Sequence, residues 1–140
     1  MNDSIKVRII SDENDMQNAL AIRQAVFVVE QKVDPTIEYD EFEAVATHVL
    51  ATLDGHSVGT ARWRETDSGY KLERFAVPTA FRGRGVGAAL LRFILDQIDD
   101  NSHVYLNSQM VAIGFYERFG FKAVGEIFYE ADIPHKKMVL

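Results

Sequence analysis

The sequence predicts an α/β domain organised around one strand, a glycine-rich loop and an amphipathic helix that follow one another directly. Three observations carry that prediction. Residues 72–77 alternate apolar and polar side chains, as a half-buried strand does, and Pro78, which has no N–H to give a ladder, ends the run. Gly83, Gly85 and Gly87 then fall within the short segment between that strand and a helix. Val86, Leu90, Phe93, Ile94 and Ile98 recur at i, i+4, i+7, i+8 and i+12, which draws one apolar helical face.

The remaining elements read in order. Ile5, Val7 and Ile9 alternate with Lys6 and Arg8, which predicts a first strand. Asn14 and Gln17 have capping-box spacing and Asp15 suits a helix dipole, so a helix is expected from Met16 to about Glu30, with Ala19, Leu20, Val26 and Phe27 on its buried face. Arg23 falls on that same face, where a charge must either pair or line a cleft. Asp34-Pro35 breaks the chain, and the acidic run YDEFE at 39–43 reads as a loop. Residues 48–53 and 58–64 form a hairpin about Asp54-Gly55, and Asp67-Ser68-Gly69 turns the chain into the central strand. After the central helix, Val104 to Asn107 predicts a fifth strand, reached by a right-handed parallel crossover. Ala112, Phe115, Tyr116 and Phe119 mark a short helix ending at Gly120. Residues 123–129 and 135–140 close the chain as a hairpin joined through Ala-Asp-Ile-Pro.

Bulk properties bound the function. At 140 residues the chain is expected to be one domain, and 47% hydrophobic with 26% charged residues is ordinary for a soluble globular protein. No apolar run approaches the length of a membrane helix and no signal pattern is present, so no membrane partner and a cytoplasmic location are expected. The absence of cysteine excludes disulfides, thiolate metal sites and an acyl-cysteine relay. Histidines at 48, 56, 103 and 135 show no ligand spacing, so no metal is expected. A net charge of −6 argues against a nucleic acid partner and suits a cationic substrate. A homodimer is left open.

A strand, a glycine loop and a helix N-terminus together make an anion site. First-turn N–H groups lack intrahelical partners, the helix dipole adds positive potential, and glycines let the backbone approach phosphate oxygens. Arg82 and Arg84 add charge there. A Walker loop is excluded because no Lys-Ser or Lys-Thr follows. Gly83, Gly85 and Ala88 match the dinucleotide pattern G-x-G-x-x-G/A, but residues 78–82 separate the loop from its strand and the chain is short for two mononucleotide halves.

Arg82-x-x-Gly85-x-Gly87 resembles the acyl-CoA pyrophosphate loop, Q/R-x-x-G-x-G/A, of the GNAT superfamily of N-acetyltransferases. FYERFGF at 115–121 is similar to that family's second signature, and RQAVFVVEQ at 23–31 with Ile133-Pro134-His135 resembles its small YjcF/ElaA-like branch. The resemblance implies a mixed central sheet of about six to seven strands flanked by helices on both faces. It implies acetyl-CoA as co-substrate, a small-molecule or peptide amine as acceptor, and direct attack in a ternary complex. A binding module that kept the loop and lost turnover is the alternative, and a dinucleotide-binding protein the third.

Carried onto this chain, the resemblance puts the pantetheine arm between the strands ending at Val77 and Asn107, held by backbone of Phe75, Ala76 and Val77. The Val77 N–H is then placed to stabilise the oxyanion. Residues Arg82, Gly83, Arg84, Gly85, Val86, Gly87 and Ala88 hold the pyrophosphate, and Gln109 stands where many members carry Asn. Tyr116 is expected to protonate the departing thiolate. Glu73, expected on the same side of the pleat as Phe75 and Val77, is the candidate base, with a salt bridge as its competing reading. Arg23, Asp40, Glu41 and His135 are the candidates for contact with the acceptor, and His135 is a second base candidate.

Overall fold

A computed structural model of the chain describes residues 4–140. Strand β1 (Ile5–Ile9) leads into α1 (Glu13–Arg23), which continues as a π-helical stretch over Gln24–Glu30, and a single turn, α2 (Pro35–Glu38), follows. Strands β2 (Thr47–Leu53), β3 (His56–Thr66) and β4 (Gly69–Ala76) form a meander. Helix α3 (Val86–Gln97) crosses over to β5 (Val104–Gln109), and α4 (Ile113–Glu117) precedes the hairpin of β6 (Lys122–Glu130) and β7 (Ile133–Val139).

The seven strands form one sheet in the order β1-β2-β3-β4-β5-β7-β6. Only the β4–β5 pair is parallel. Both faces are covered. On one, Val86, Leu90, Leu91 and Ile94 of α3 pack with Val49, Ala51, Leu72, Leu106, Tyr116 and Phe121. On the other, Ala19, Ile22 and Val26 pack against Leu50 and Ala76. Gly59 allows the α3 side to close tightly, because a Cβ there would lie 2.6 Å from Cγ1 of Val86.

One irregularity in β4 governs the site. Arg62 is opposite Glu73 and Thr60 opposite Ala76, so β4 carries one residue more than β3 across that interval, and Arg74 takes φ +62°. The extra residue reverses the alternation. Leu72 and Phe75 both pack against the α3 side, whereas Ala76 packs against the α1 side. The expectation that Glu73 shares a face with Phe75 and Val77 is therefore corrected: a β-bulge separates them. Strict period-two counting has no means of registering such an insertion.

Smaller differences have equally local causes. The cap of α1 is Asp12, whose carboxylate accepts from the Asp15 N–H at 2.7 Å, in place of Asn14. Asp15 itself pairs with Arg8 at 2.7 Å. Asp34-Pro35 both ends one segment and starts another, since Asp34 caps Thr36 and Pro35 occupies the first helical turn. The β6–β7 turn is confined to Ala131 and Asp132, with φ of 50° and 64°, so Ile133 and Pro134 already belong to β7.

Candidate active site

Gly85 precedes α3 with φ +85° and Gly83 has φ +78°, both in the left-handed region, and a Cβ at either would meet nothing within 4 Å. The loop thus turns its backbone toward open space. The Ala89 N–H bonds Gly85 O at 3.0 Å, so the N–H groups of Val86, Gly87 and Ala88 precede the first intrahelical bond, and no side chain caps them. Above them lies a cavity of about 760 Å³ lined by Arg82, Arg92 and Arg118 and by no carboxylate. In a chain of net charge −6, Arg92 and Arg118 give this cavity a positive lining.

The predicted arginines divide. Arg82 donates from Nε to Val77 O at 2.7 Å and grips both Glu30 oxygens at 2.7 and 2.8 Å, which ties the loop to the end of the π-helical stretch. That pairing raises the Arg82 pKa and lowers that of Glu30. Arg84 is exposed, 6.0 Å from the Phe81 ring, and does not line the cavity.

A second cavity, of about 770 Å³, shares Val77, Arg82, Gly87 and Phe115 with the first. It exists because β4 and β5 part company. Their parallel pairing runs from Tyr70–Val104 to Leu72–Leu106 and stops, while β4 continues to Ala76 and β5 to Gln109. Beyond Leu72 and Leu106 the facing backbone edges have no ladder partner in one another, and Phe75, Val77, Asn107 and Gln109 line the opening. A long, thin ligand with an anionic end fits a splayed strand pair that leads to a helix N-terminus.

The sequence pattern of the acetyltransferase (GNAT) domain family matches residues 11–140. The chain belongs to the GNAT acetyltransferase family. The uncharacterized N-acetyltransferase YjcF of Bacillus subtilis is 34% identical over 138 residues, covering 96% of this chain and 99% of that protein. The crystal structure of Escherichia coli ElaA superposes with a TM-score of 0.86 at 29% identity, covering 97% and 99% of the two chains. A GNAT family acetyltransferase from Elizabethkingia anophelis, solved with acetyl-CoA bound, shares the fold with a TM-score of 0.70 at 17% identity, over 99% of this chain and 96% of that one.

In this acetyltransferase Tyr116 stands at the wall of the second cavity, with its ring edge-on to Phe75 at 5.9 Å and to Phe115 at 5.0 Å. Among the described residues no group hydrogen-bonds its hydroxyl, and the hydroxyl is not sealed from the cavity. Burial pushes the phenol pKa well above its ordinary value, so the group stays protonated.

The other candidates fall into a buried ionic network behind the cavity. Arg23 and Arg62 are 1% and 0% exposed. Arg23 binds Glu38 at 2.6 Å and Glu43 at 2.9 Å, and Arg62 binds Asp40 and Glu73 at 2.8 Å each and Glu43 as well. Arg74 reaches Glu38 at 3.2 Å and Asp40 at 3.1 Å. Burial opposes the charge on Arg23, and the Glu38 and Glu43 carboxylates outweigh it, so its pKa is raised. The acetyltransferase thus seats Arg23 in a structural salt bridge. Asp40 turns inward on arginines, Glu41 is exposed, and neither lines the cavity.

Glu73 lines the cavity but accepts from Arg64 at 2.8 Å and lies 3.3 Å from Lys71, in addition to Arg62. Burial would raise its pKa, yet Arg64, Arg62 and Lys71 hold it below the usual carboxylate range. A carboxylate so clamped is a weak proton acceptor. His135, by contrast, lines the cavity beside Asn107 and Glu130. Gln109 donates to Gln31 at 2.9 Å, and so bridges the end of β5 to the end of the π-helical stretch.

Sequence reasoning missed Arg92, Arg118, Glu30, Gln31 and Glu130 as site residues. For Arg92 a signal existed: it lies one helical turn past Ala88 on the face that opens at the loop. Glu30 and Gln31 reach the cavity through π-helical geometry, which period-3.6 counting does not anticipate.

Proposed function

We propose that this acetyltransferase moves the acetyl group of acetyl-CoA to a primary amine by direct attack within a ternary complex. The observation that carries the reading is the parting of β4 and β5 beyond Leu72 and Leu106, directly continuous with the arginine-lined N-terminus of α3. The acetyl-CoA bound to the Elizabethkingia protein of the same fold supports this co-substrate. Backbone N–H groups of Val86, Gly87 and Ala88, with Arg92 and Arg118, would take the phosphates. Backbone of Phe75, Val77 and Asn107 would hold the pantetheine arm. Tyr116, protonated and with no hydrogen-bond partner for its hydroxyl among the described residues, supplies the proton that the departing thiolate requires.

No cysteine is present, so an acyl-cysteine relay has no nucleophile and the amine attacks the thioester directly. The Val77 N–H, on the β4 side of the opening, is the donor assigned to the developing oxyanion. Glu73 is not assigned the base role, because three cations already hold its charge.

The test is release of CoA thiol from acetyl-CoA across a panel of amines, aminoglycosides and peptides, with thermal shifts measured in parallel. Dose-dependent stabilisation by acetyl-CoA and none by NAD(P)H is expected, since a ligand of the native state raises its melting temperature. Stabilisation by acetyl-CoA without thiol release from any amine would favour a CoA-binding module. Stabilisation by NAD(P)H alone would sink the CoA assignment.

A further inference from the structure

Four carboxylates line the cavity between β4 and β5: Glu30, Glu38, Glu73 and Glu130. Three are bound to arginine or lysine: Glu30 by Arg82, Glu38 by Arg23 and Arg74, and Glu73 by Arg62, Arg64 and Lys71. Glu130 has no arginine or lysine partner among the described residues. Its Oε1 accepts from Asn107 Nδ2 at 3.1 Å, and its Oε2 lies 4.0 Å from His135 Nε2.

The backbone brings these groups to one face. Phe128 is opposite His135 and Glu130 opposite Ile133 in the β6–β7 hairpin, while Gln109 is opposite His135 and Asn107 opposite Lys137 across β5–β7. Period-two alternation then puts Glu130, His135, Asn107 and Gln109 on the same side of the sheet, at the parted end of β5. The His135 ring is held against Phe128 at 5.9 Å, and its Nδ1 lies 2.6 Å from Ile133 O. A carbonyl oxygen only accepts, so Nδ1 carries the hydrogen and the neutral ring offers its Nε2 lone pair. Nε2 and Oε2 are too far apart to bond each other. A nitrogen placed about 2.8 Å from each would bond both, as the apex of a triangle on that 4.0 Å base.

We propose that Glu130 and His135 receive the acceptor amine, with Glu130 holding the ammonium and His135 Nε2 taking its proton. The inference rests on the acetyl-transfer reading and names the base that reading lacks. The ammonium gives one proton to Nε2, and the freed lone pair forms the C–N bond to the thioester carbon. The C–S bond breaks, the sulfur takes a proton from Tyr116, and the second proton lost from nitrogen restores Tyr116 through water. The imidazolium pairs with Glu130, whose side chain is 45% exposed, and passes the first proton to solvent. Charged and titratable groups across the cavity are Glu30, Glu38, Lys71, Glu73, Arg74, Arg82 and Tyr116. The carboxylates among them are all paired, so none competes for the ammonium.

The experiment has two readouts. First, n-butylamine is titrated into the CoA-loaded protein while the imidazole nitrogens are followed by NMR, with n-butanol as the uncharged control. The amine alone should shift the His135 Nε2 resonance saturably, and Glu130→Gln should weaken its binding roughly tenfold. Second, with any amine that turns over, His135→Gln should lower kcat roughly 100-fold. Glu130→Gln should instead raise the amine KM, and neither variant should change the acetyl-CoA Kd. Amine binding that leaves His135 unmoved, or a folded His135→Gln variant with wild-type kcat, overturns the proposal. If no amine releases CoA from the wild-type protein, the acetyl-transfer reading falls, and the amine site stands or falls on the resonance shift.

Discussion

Replacing Tyr116 by Phe separates catalysis from packing more cleanly than any other single change in this molecule. The ring touches Phe75, Phe115 and Phe121 edge-on, at centroid distances of 5.9, 5.0 and 6.0 Å, and Phe keeps all three contacts. The hydroxyl has no hydrogen-bond partner among the described residues, so its deletion strands no donor or acceptor. Stability should therefore change by no more than about 0.5 kcal/mol, the scale of a substitution that breaks no contact. Turnover should behave quite differently. Loss of one positioned general acid lowers kcat by roughly 10²–10⁴, or about 2.7–5.5 kcal/mol in the barrier. The loss should appear equally in kcat/KM, with the acetyl-CoA Kd unchanged, because the interaction forms only as the thiolate departs. A thioester with a more acidic leaving thiol should recover part of it. Steady-state thiol release, calorimetric CoA binding and thermal unfolding on one preparation read all three quantities. Wild-type kcat in the folded variant removes Tyr116 from the mechanism. Burial raises the phenol pKa, so an alkaline loss of kcat from this group is expected only above about pH 10.

Gly85→Val should abolish measurable acetyl-CoA binding by calorimetry. Its φ of +85° strains any β-branched residue, and a Cβ there would project into the open space that the proposed phosphates would occupy, so circular dichroism is needed to show that the sheet survives. Arg92→Ala should weaken acetyl-CoA about tenfold, as loss of one charge-assisted contact does. The affinity should also fall less steeply with added salt than in the wild type, while kcat at saturating acetyl-CoA is retained.

The glycine loop before α3 was legible in the sequence because its signals are local. Gly83, Gly85 and the apolar period from Val86 lie within one short window, and no distant contact is needed to interpret them. The strands were legible for the same reason, since alternation is a nearest-neighbour pattern. The ionic network behind the cavity was not. Asp40 and Glu43 look like a solvated acidic loop until β3 and β4 bring Arg62 and Arg74 against them, across 22 and 34 residues of chain for Asp40. Glu73 reads as sharing a face with Phe75 and Val77 because the bulge at Arg74 leaves no trace in a binary pattern. Glu130 was overlooked because a glutamate at the end of an edge strand is ordinarily just a solvated side chain.

The bulge also links the ionic network to the cleft. Arg74 holds φ +62°, a conformation that costs a residue with a Cβ roughly 1–2 kcal/mol relative to the right-handed region. Its guanidinium reaches Glu38 and Asp40 at 3.2 and 3.1 Å, and Arg23 and Arg62 fix those two carboxylates from behind. The network thus holds the strained turn that swings Phe75 and Val77 toward the opening. A sharp comparison follows. Within an ordinary strand glycine is less stable than alanine by about 0.5–1 kcal/mol. At position 74 the order should invert. Arg74→Gly and Arg74→Ala lose the same ion pairs, but only alanine keeps the strain of its Cβ, so glycine should be the more stable by about 1 kcal/mol. Urea unfolding of the two variants measures that difference directly. Alanine equal to or more stable than glycine would show that residue 74 has left the left-handed conformation, and the backbone account of the cleft would go with it.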